Sequence, residues 1–381
     1  MDDCLPEYNR NERLEAFIDR VVRPPPDFIP RMNEAVKLVV LHLHNYNSWR
    51  FRYRYPYHKV QKVVKSGSLG KGTSIQTNAD ADLFIFFNDF KTIESLIEAK
   101  PDLLENIKKY MMCTDEQPEW MRSIKFIRKT DFHVEFKIDI IDLGSVDVDI
   151  VPAMDVISQH DDMNSLYDEM MSKDDPDIIA HYSACLCEKQ IKLIGGKPAK
   201  VKDLIRLLKY WYKSNNLDLK SYFCEVIGLH VHQKYLNNVD NFKMKNGFVK
   251  ALELLADFTN LTIIPDGFSQ WFKYDDLSII YVVDLVNPFS NTVPGNAQRK
   301  IEDTANKTIH QIAQFASKTH DNVVKVCPQS AKYGYLQNEC EDLTEYENNG
   351  FSFCKSLISL VIIFLIALFA LYWANCDVGY I

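Results

Sequence analysis

The stretch from Val64 to Phe87 constrains the fold most, because it joins a small-residue turn to two carboxylates at the head of a strand. Gly67 and Ser68 follow a short apolar run and precede Gly70, Lys71 and Gly72, a loop whose bare backbone N–H groups can approach phosphate oxygens closely. Asp80 and Asp82 then open the strand-forming run Leu83 to Phe87. Residues i and i+2 of a strand share a face, so both carboxylates point the same way. Such a pair repels unless a divalent cation lies between, and Mg²⁺ takes a few carboxylates together with substrate phosphates. Metal-dependent phosphoryl or nucleotidyl transfer is the chemistry this pattern serves. A P-loop is excluded by spacing: only two residues separate Gly67 from Gly70, and Lys71 is followed by Gly72 rather than by a hydroxyl. The plain alternative is a glycine-rich turn followed by solvated aspartates.

A chain of 381 residues, 46% hydrophobic and 25% charged, is long enough for two lobes with separate cores. Its nine cysteines follow no framework spacing and no N-terminal signal peptide is evident, which fits a reducing cytosolic setting. Cys185 and Cys187 with His181 match no structural zinc pattern, so no zinc is expected and buried thiols are. The net charge of −8 argues against a protein basic all over, but the distribution is uneven. Residues 1–75 carry thirteen Lys or Arg against eight acids, and residues 186–220 carry nine against three. Two basic segments in an acidic chain fit either solvated helix faces or a composite groove for nucleic acid.

Apolar and charged residues alternate at helical spacing from Arg13 to Val22, and Pro24 to Pro26 end that helix. A second helix begins near Pro30, with Met32, Val36, Val39, Val40 and Leu43 as its core stripe. Arg50, Arg52 and Arg54 beside Trp49, Tyr53 and Tyr55 suit either a strand-like nucleic-acid contact or a surface loop with aromatic anchors. A helix from about Thr92 to Met112 leads into a second strand region, Phe132 to Pro152. There Asp147 and Asp149 share one face of a strand and could stand beside Asp80 and Asp82; the geometry alone does not choose between them. From about residue 156 the composition turns helical, with Ile178–Ile194 and Val201–Asn215 as the spine and Gly195, Gly196 and Pro198 between them. Leu204, Leu207, Leu208 and Trp211 form a buried stripe.

The run Lys65 to Thr73 followed by Asp80-Ala-Asp82-Leu resembles the active-site signature of the 2′-5′-oligoadenylate synthases, within the polymerase-β-like nucleotidyltransferase superfamily that also holds the cyclic GMP-AMP synthase-like receptors. The resemblance extends over roughly residues 10 to 318. It implies a third aspartate followed by two apolar residues and proline, which assigns Asp149 through Asp149-Ile-Val-Pro-Ala-Met-Asp155. Asp147 is then expected deeper or against a basic neighbour, and Asp139 and Asp142 as surface acids. The run Lys202 to Tyr212 resembles the family's helix over its length, and Lys209 is thereby assigned to the donor triphosphate. Ser221-Tyr222 stands where the family has glutamine–tyrosine, so Tyr222 is expected to stack on a base while Ser221 departs from the pattern. Gly67 and Ser68 are expected at the donor phosphates. The Gly247 helix and the turn from Val283 to Asn291 also follow the family.

The resemblance implies an α+β, bilobal nucleotidyltransferase fold: a mixed β-sheet catalytic lobe over residues 1–155 and a helical lobe over 156–320. It implies synthesis of 2′-5′-linked oligoadenylates from ATP on activation by double-stranded RNA, as an innate immune messenger. Two Mg²⁺ ions, replaceable by Mn²⁺, would sit on Asp80, Asp82 and Asp149. RNA would be read by A-form shape through Lys62, Lys65, Lys192, Lys197, Lys200 and Lys202, with Lys71 in the loop it orders. A cyclic-dinucleotide synthase or a catalytically silent RNA-binding scaffold are the alternatives. Protein partners are left unassigned.

The last part of the chain reads differently. Ser356 to Ala374 is nineteen residues without a charge, flanked by Lys355 and Asp377, with Tyr372 and Trp373 at an interfacial position. It is expected to be a transmembrane tail anchor, tethered by residues 321–355, holding the enzyme on the cytoplasmic face of a membrane.

Overall fold

The computed structural model describes residues 4–9, 11–53, 58–76, 80–173, 175–271, 280–293 and 298–320. Five strands form one mixed sheet: β1 (Val60–Lys65), β2 (Asp80–Phe87), β3 (Met121–Lys129), β4 (Val134–Ile140) and β5 (Gly144–Met154). Their order is β1-β2-β5-β4-β3, with β2 and β5 parallel and the other pairs antiparallel. The second strand region is thus a hairpin, β4 and β5, whose return brings β5 alongside β2.

Alternation decides which side chains go inward. Ala81, Leu83 and Ile85 of β2 and Val146, Val148 and Ile150 of β5 are fully buried, while Asp80, Asp82, Asp147 and Asp149 fall on the opposite set of positions. The apolar face closes against the Phe28–His44 helix, through Met32, Val36, Val39 and Leu43, and against the Ile93–Met111 helix. The latter starts at Thr92, whose hydroxyl accepts from the Ser95 N–H at 3.2 Å in a reciprocal cap.

A second core is helical. Val201, Leu204, Ile205, Leu208 and Trp211 of the Ala199–Ser214 helix meet the Ser221–Lys234 and Met244–Ala256 helices. Gly228 makes that approach tight, since a Cβ there would stand 2.6 Å from Ile205 Cγ1. The Gln298–His320 helix closes the cluster through Ile301, Ala305 and Ile312, and Thr308 accepts the Trp211 indole N–H at 2.9 Å. Leu5, Leu14, Phe17, Ile18 and Val22 also belong to this core, and Glu15 caps the Met244 backbone N–H at 3.2 Å. The segment Tyr46–Tyr53 is helical, so its arginines do not follow strand alternation.

The expected membrane anchor is corrected, and with it the fold class and localisation drawn from it. Among the described residues no helix is long and apolar enough to cross a membrane. The 23-residue Gln298–His320 helix interleaves Arg299, Lys300, Glu302, Asp303 and Lys307 with its apolar stripe. Residues 321–355 and Ser356–Ala374 lie outside the described residues.

Candidate active site

The turn after β1 is built onto the carboxylates. The Ser66 N–H donates to the Asp82 carbonyl at 2.7 Å, and Gly67–Lys71 forms a single helical turn. Gly67 has φ +61°, and a Cβ on it would fall 1.7 Å from Asp82 Oδ2. Only glycine satisfies both conditions here, which explains its place directly before Ser68. The loop returns through Thr73, whose N–H donates to the Ser68 carbonyl at 2.8 Å, and Ser74, whose hydroxyl donates to Ser68 Oγ at 3.2 Å.

Across the parallel pair, Asp82 stands in register with Asp149 and Asp80 with Asp147. Burial, then the neighbouring Asp149 carboxylate, pushes Asp82 up to about 6; burial, then Glu135 and Asp80, pushes Asp149 up to about 6. Asp147 is half-exposed and faces Lys137 at 3.8 Å. Asp80, Asp82 and Asp149 line one cavity of about 300 Å³, at the lower end of ordinary small-molecule pockets. Half-buried Asp82 and Asp149 with exposed Asp80 put three carboxylates at one wall, and these three residues fit divalent cations.

The opposite wall comes from the helical core. Lys209 is 2% exposed; its Nζ donates to Glu225 Oε1 at 2.6 Å and to Thr73 Oγ1 at 2.8 Å. Lys71 Nζ reaches the other oxygen of Glu225 at 2.9 Å and lies 4.5 Å from the Tyr222 ring centre. Burial would raise Glu225, but Lys209 and Lys71 outweigh it and hold the carboxyl below its usual range. Tyr222 lines the cavity and donates its hydroxyl to Asp284 at 2.7 Å; burial keeps Asp284 raised to about 6. Ser221 lines it too, with its hydroxyl 2.9 Å from that of Tyr212, and Lys213 lies alongside. Arg206, on the same helix as Lys209, donates to the carbonyls of Gly72 (2.6 Å) and Ser74 (3.1 Å) and so fixes the loop to the second core.

Gly67, Ser68, Lys209 and Tyr222 are therefore gathered around the aspartates. Lys71 is buried in the cavity wall and presents no surface to an RNA. Lys62 pairs with Glu188 and Lys65 donates to Asn33 at 2.7 Å, both on β1. Lys192 is exposed and Lys197 half-exposed; Lys200 donates to Asn241 at 3.2 Å. Lys202 donates to the Gly195 carbonyl at 2.6 Å, and its Nζ would lie 3.6 Å from a Cβ on Gly72. The sequence assigns no individual role to Glu225, Thr73, Arg206 or Asp284, although Thr73 ends the signature run and Asp284 lies in the Val283–Asn291 turn. Glu225 had a signal, a lone carboxylate inside the apolar run Phe223 to Val231.

A family model described as 2′-5′-oligoadenylate synthetase 1, domain 2, C-terminus, matches residues 160–284. The chain is 27% identical over 325 residues to 2′-5′-oligoadenylate synthase 1A of Rattus norvegicus, covering 75% of this chain and 85% of that protein. It is 28% identical over 287 residues to 2′-5′-oligoadenylate synthase 1A of Mus musculus, covering 69% and 73%. Against 2′-5′-oligoadenylate synthase 2 of Mus musculus the identity is 27%, and the chain spans only 35% of that relative's length. A solved structure of E. coli MS115-1 CdnC with ATP matches with a TM-score of 0.53 and 19% identity, covering 79% of this chain and 90% of that one, a likeness of fold. The resemblance drawn from the motifs holds.

Proposed function

We infer that this chain works as a nucleotidyltransferase of the 2′-5′-oligoadenylate synthase type, to which it is similar, that the cavity joins ATP units through 2′-5′ linkages and that double-stranded RNA governs it. The observation that carries the catalytic part is the convergence of Asp80, Asp82 and Asp149 with Ser68, Lys71 and Lys209 around one cavity. Divalent cations, Mg²⁺ in the first instance, would be held by the three aspartates and would supply charge neutralisation and acidification of the acceptor hydroxyl. The chain's own groups do the rest. Ser68 and the N–H groups of its turn receive donor phosphates. Lys209 and Lys71 exchange Glu225 for phosphate oxygens as the triphosphate enters, so the charge they carry is already fixed in place. The Tyr222 ring offers a face for a base. Asp149, at the wall opposite the lysines, would receive the hydroxyl proton.

Support for RNA control comes from Lys202, which lies beside the catalytic loop, its Nζ 3.6 Å from where a Cβ on Gly72 would stand, while belonging to the basic 186–220 segment. Contacts from Lys192, Lys197, Lys200 and Lys202, with Lys62 and Lys65 on β1, would neutralise phosphates and bear on the loop, with a steep dependence on salt. Ser221 favours a second reading. A hydroxyl shared with Tyr212 stands where the family places a base-reading amide, which leaves room for a cyclic dinucleotide as product.

The test is incubation of the full chain with the four nucleoside triphosphates and Mg²⁺, with and without long double-stranded RNA, with products read by mass spectrometry. An oligoadenylate ladder resistant to 3′-5′-specific nuclease, appearing only with RNA, is expected. A single cyclic product would keep the site and change the messenger; no product with any nucleic acid would overturn the reading. The double variant Lys197→Glu, Lys200→Glu should require more RNA for the same activity.

A further inference from the structure

β5 lies between β2 and β4, so Asp149 has a carboxylate neighbour in register on both sides: Asp82 on one and Glu135 on the other. The Glu135 side belongs to no part of the reaction described above. His133 is two residues before Glu135, on the same face of the extended chain, and it is half-buried. One nitrogen of His133, one oxygen of Glu135 and one of Asp149 lie within 4.8 Å of one another. His133 Nδ1 stands 3.1 Å from Thr130 Oγ1, which orients the ring, while Nε2 is buried without a hydrogen-bond partner. The ring stands among the carboxylates Glu135 and Asp82 and the cations Arg128 and Lys100, and an imidazole with one nitrogen unpartnered and the other held by a hydroxyl has the make-up of a metal ligand with its orienting partner.

We propose that His133, Glu135 and Asp149 form a site for a borderline divalent cation of the Zn²⁺ or Co²⁺ kind, distinct from the catalytic cations but sharing Asp149 with them, and that its occupancy slows nucleotidyl transfer. The imidazole sets the preference: one nitrogen and two carboxylate oxygens, with water completing the shell, suit Zn²⁺ or Co²⁺ better than Mg²⁺, which takes oxygen alone. At Zn–ligand bonds of about 2.0–2.1 Å, neighbouring ligand atoms stand about 3.3 Å apart, so the trio closes by side-chain rotation. Arg128 is the competitor. Its Nε donates to Glu135 Oε2 at 2.5 Å, but its side chain is 63% exposed and can turn to solvent when a cation takes its place. A cation here draws Asp149 toward β4, away from Asp82, and the catalytic set loses one of its three carboxylates. Only this inhibitory effect rests on the catalytic reading; the binding does not.

The experiment is titration of the full chain with Co²⁺ in a large excess of Mg²⁺, reading visible d–d absorption alongside synthesis. Nitrogen and oxygen ligation gives weak visible bands, whereas binding at cysteines gives intense thiolate charge transfer in the near ultraviolet. The expected result is one Co²⁺ with the weak bands, and a fall in Mg²⁺-supported synthesis that tracks them. His133→Ala should lose the bands and resist inhibition, while keeping its synthesis in Co²⁺-free Mg²⁺. Thr130→Val should weaken binding ~10-fold by freeing the ring, and Arg128→Gln should tighten it. Asp82→Asn should stop synthesis yet keep the bands, so failure of the site and failure of the reaction are told apart. Thiolate bands alone, no bands under excess Mg²⁺, or an unchanged titration in His133→Ala and Thr130→Val would each overturn the proposal.

Discussion

Replacing Asp82 by asparagine tests whether the fold holds its carboxylates at a cost. The Asp82 carboxyl is raised from 3.8 to about 6, by burial first and by Asp149 second. Two pKa units correspond to about 3 kcal/mol by which the fold disfavours the ionised form. Part of that belongs jointly to Asp149, and the side chain is only half-buried, so about 1–2 kcal/mol is the share asparagine should recover. The sign follows from the direction of the shift. A raised carboxyl costs the fold nothing below its unfolded value, where both states are protonated, and costs it fully once the pH has passed about 6. Asp82→Asn should therefore raise the apparent melting temperature by about 2–5 °C near neutral pH in chelator, and leave it unchanged near pH 3.5. Saturating Mg²⁺ should raise the wild type and not the variant, because only the wild type binds the cation tightly. Thermal scans of the full chain at both pH values, with chelator and with Mg²⁺, decide the matter. A variant that melts lower than the wild type in chelator at neutral pH, or a gain that persists near pH 3.5, would refute the reasoning.

Other consequences follow from the same wall of charges. Glu225→Ala leaves Lys209 and Lys71 buried without their shared carboxylate, and breaking a buried ion pair on one side costs about 3–5 kcal/mol; urea unfolding should show the loss, and a change under about 1 kcal/mol would mean the cleft is wetter than described. Gly67→Ala puts a methyl on Asp82 Oδ2 and a side chain at φ +61°. A displacement of that order at the reacting centre should lower kcat by about 100-fold, and rates near wild type would show that the turn relaxes freely. With Mg²⁺ limiting, synthesis should rise with pH through a limb near 6, as Asp82 and Asp149 ionise. Raising Mg²⁺ should move that limb to lower pH because cation and proton compete for the same oxygens; a limb that ignores Mg²⁺ would assign the titration elsewhere.

What could be read from the sequence was whatever depends on local chemistry. Two aspartates two apart at the head of an apolar strand must share a face, and Leu204, Leu208 and Trp211 at helical spacing must be buried together; both hold. What could not be read depends on which surfaces meet. The stripe Leu14, Phe17 and Val22 announces a buried helix face, but nothing local says that its partners are Leu204 and Phe248 rather than the sheet. Lys71 looks like a loop lysine open to a polyanion, and only the arrival of Glu225 from 154 residues away turns it inward. Arg50 and Arg52 alternate like a strand, yet Tyr46–Tyr53 is helical, since residues 46–49 continue the packing of the preceding helix through Tyr46 and Trp49; Arg54 lies outside the described residues.

Glu225 also explains how two lysines can stand in the cavity proposed to accept a triphosphate. Two ammonium groups buried without a partner would carry a heavy desolvation cost. Paired to one carboxylate, they are held in place, and each is left with only half of a counter-ion. A triphosphate offers more negative oxygen than Glu225 does, and it arrives beside carboxylates whose own repulsion is relieved by cations at the same moment. Donor and cation should therefore bind with positive coupling. Each alone unbalances the cavity, by too much negative charge facing Asp82 and Asp149 in one case and by too little facing the lysines in the other. A calorimetric titration of ATP with and without Mg²⁺, repeated in Glu225→Gln, reads this directly: the coupling should shrink in the variant, because its lysines no longer have a carboxylate to give up.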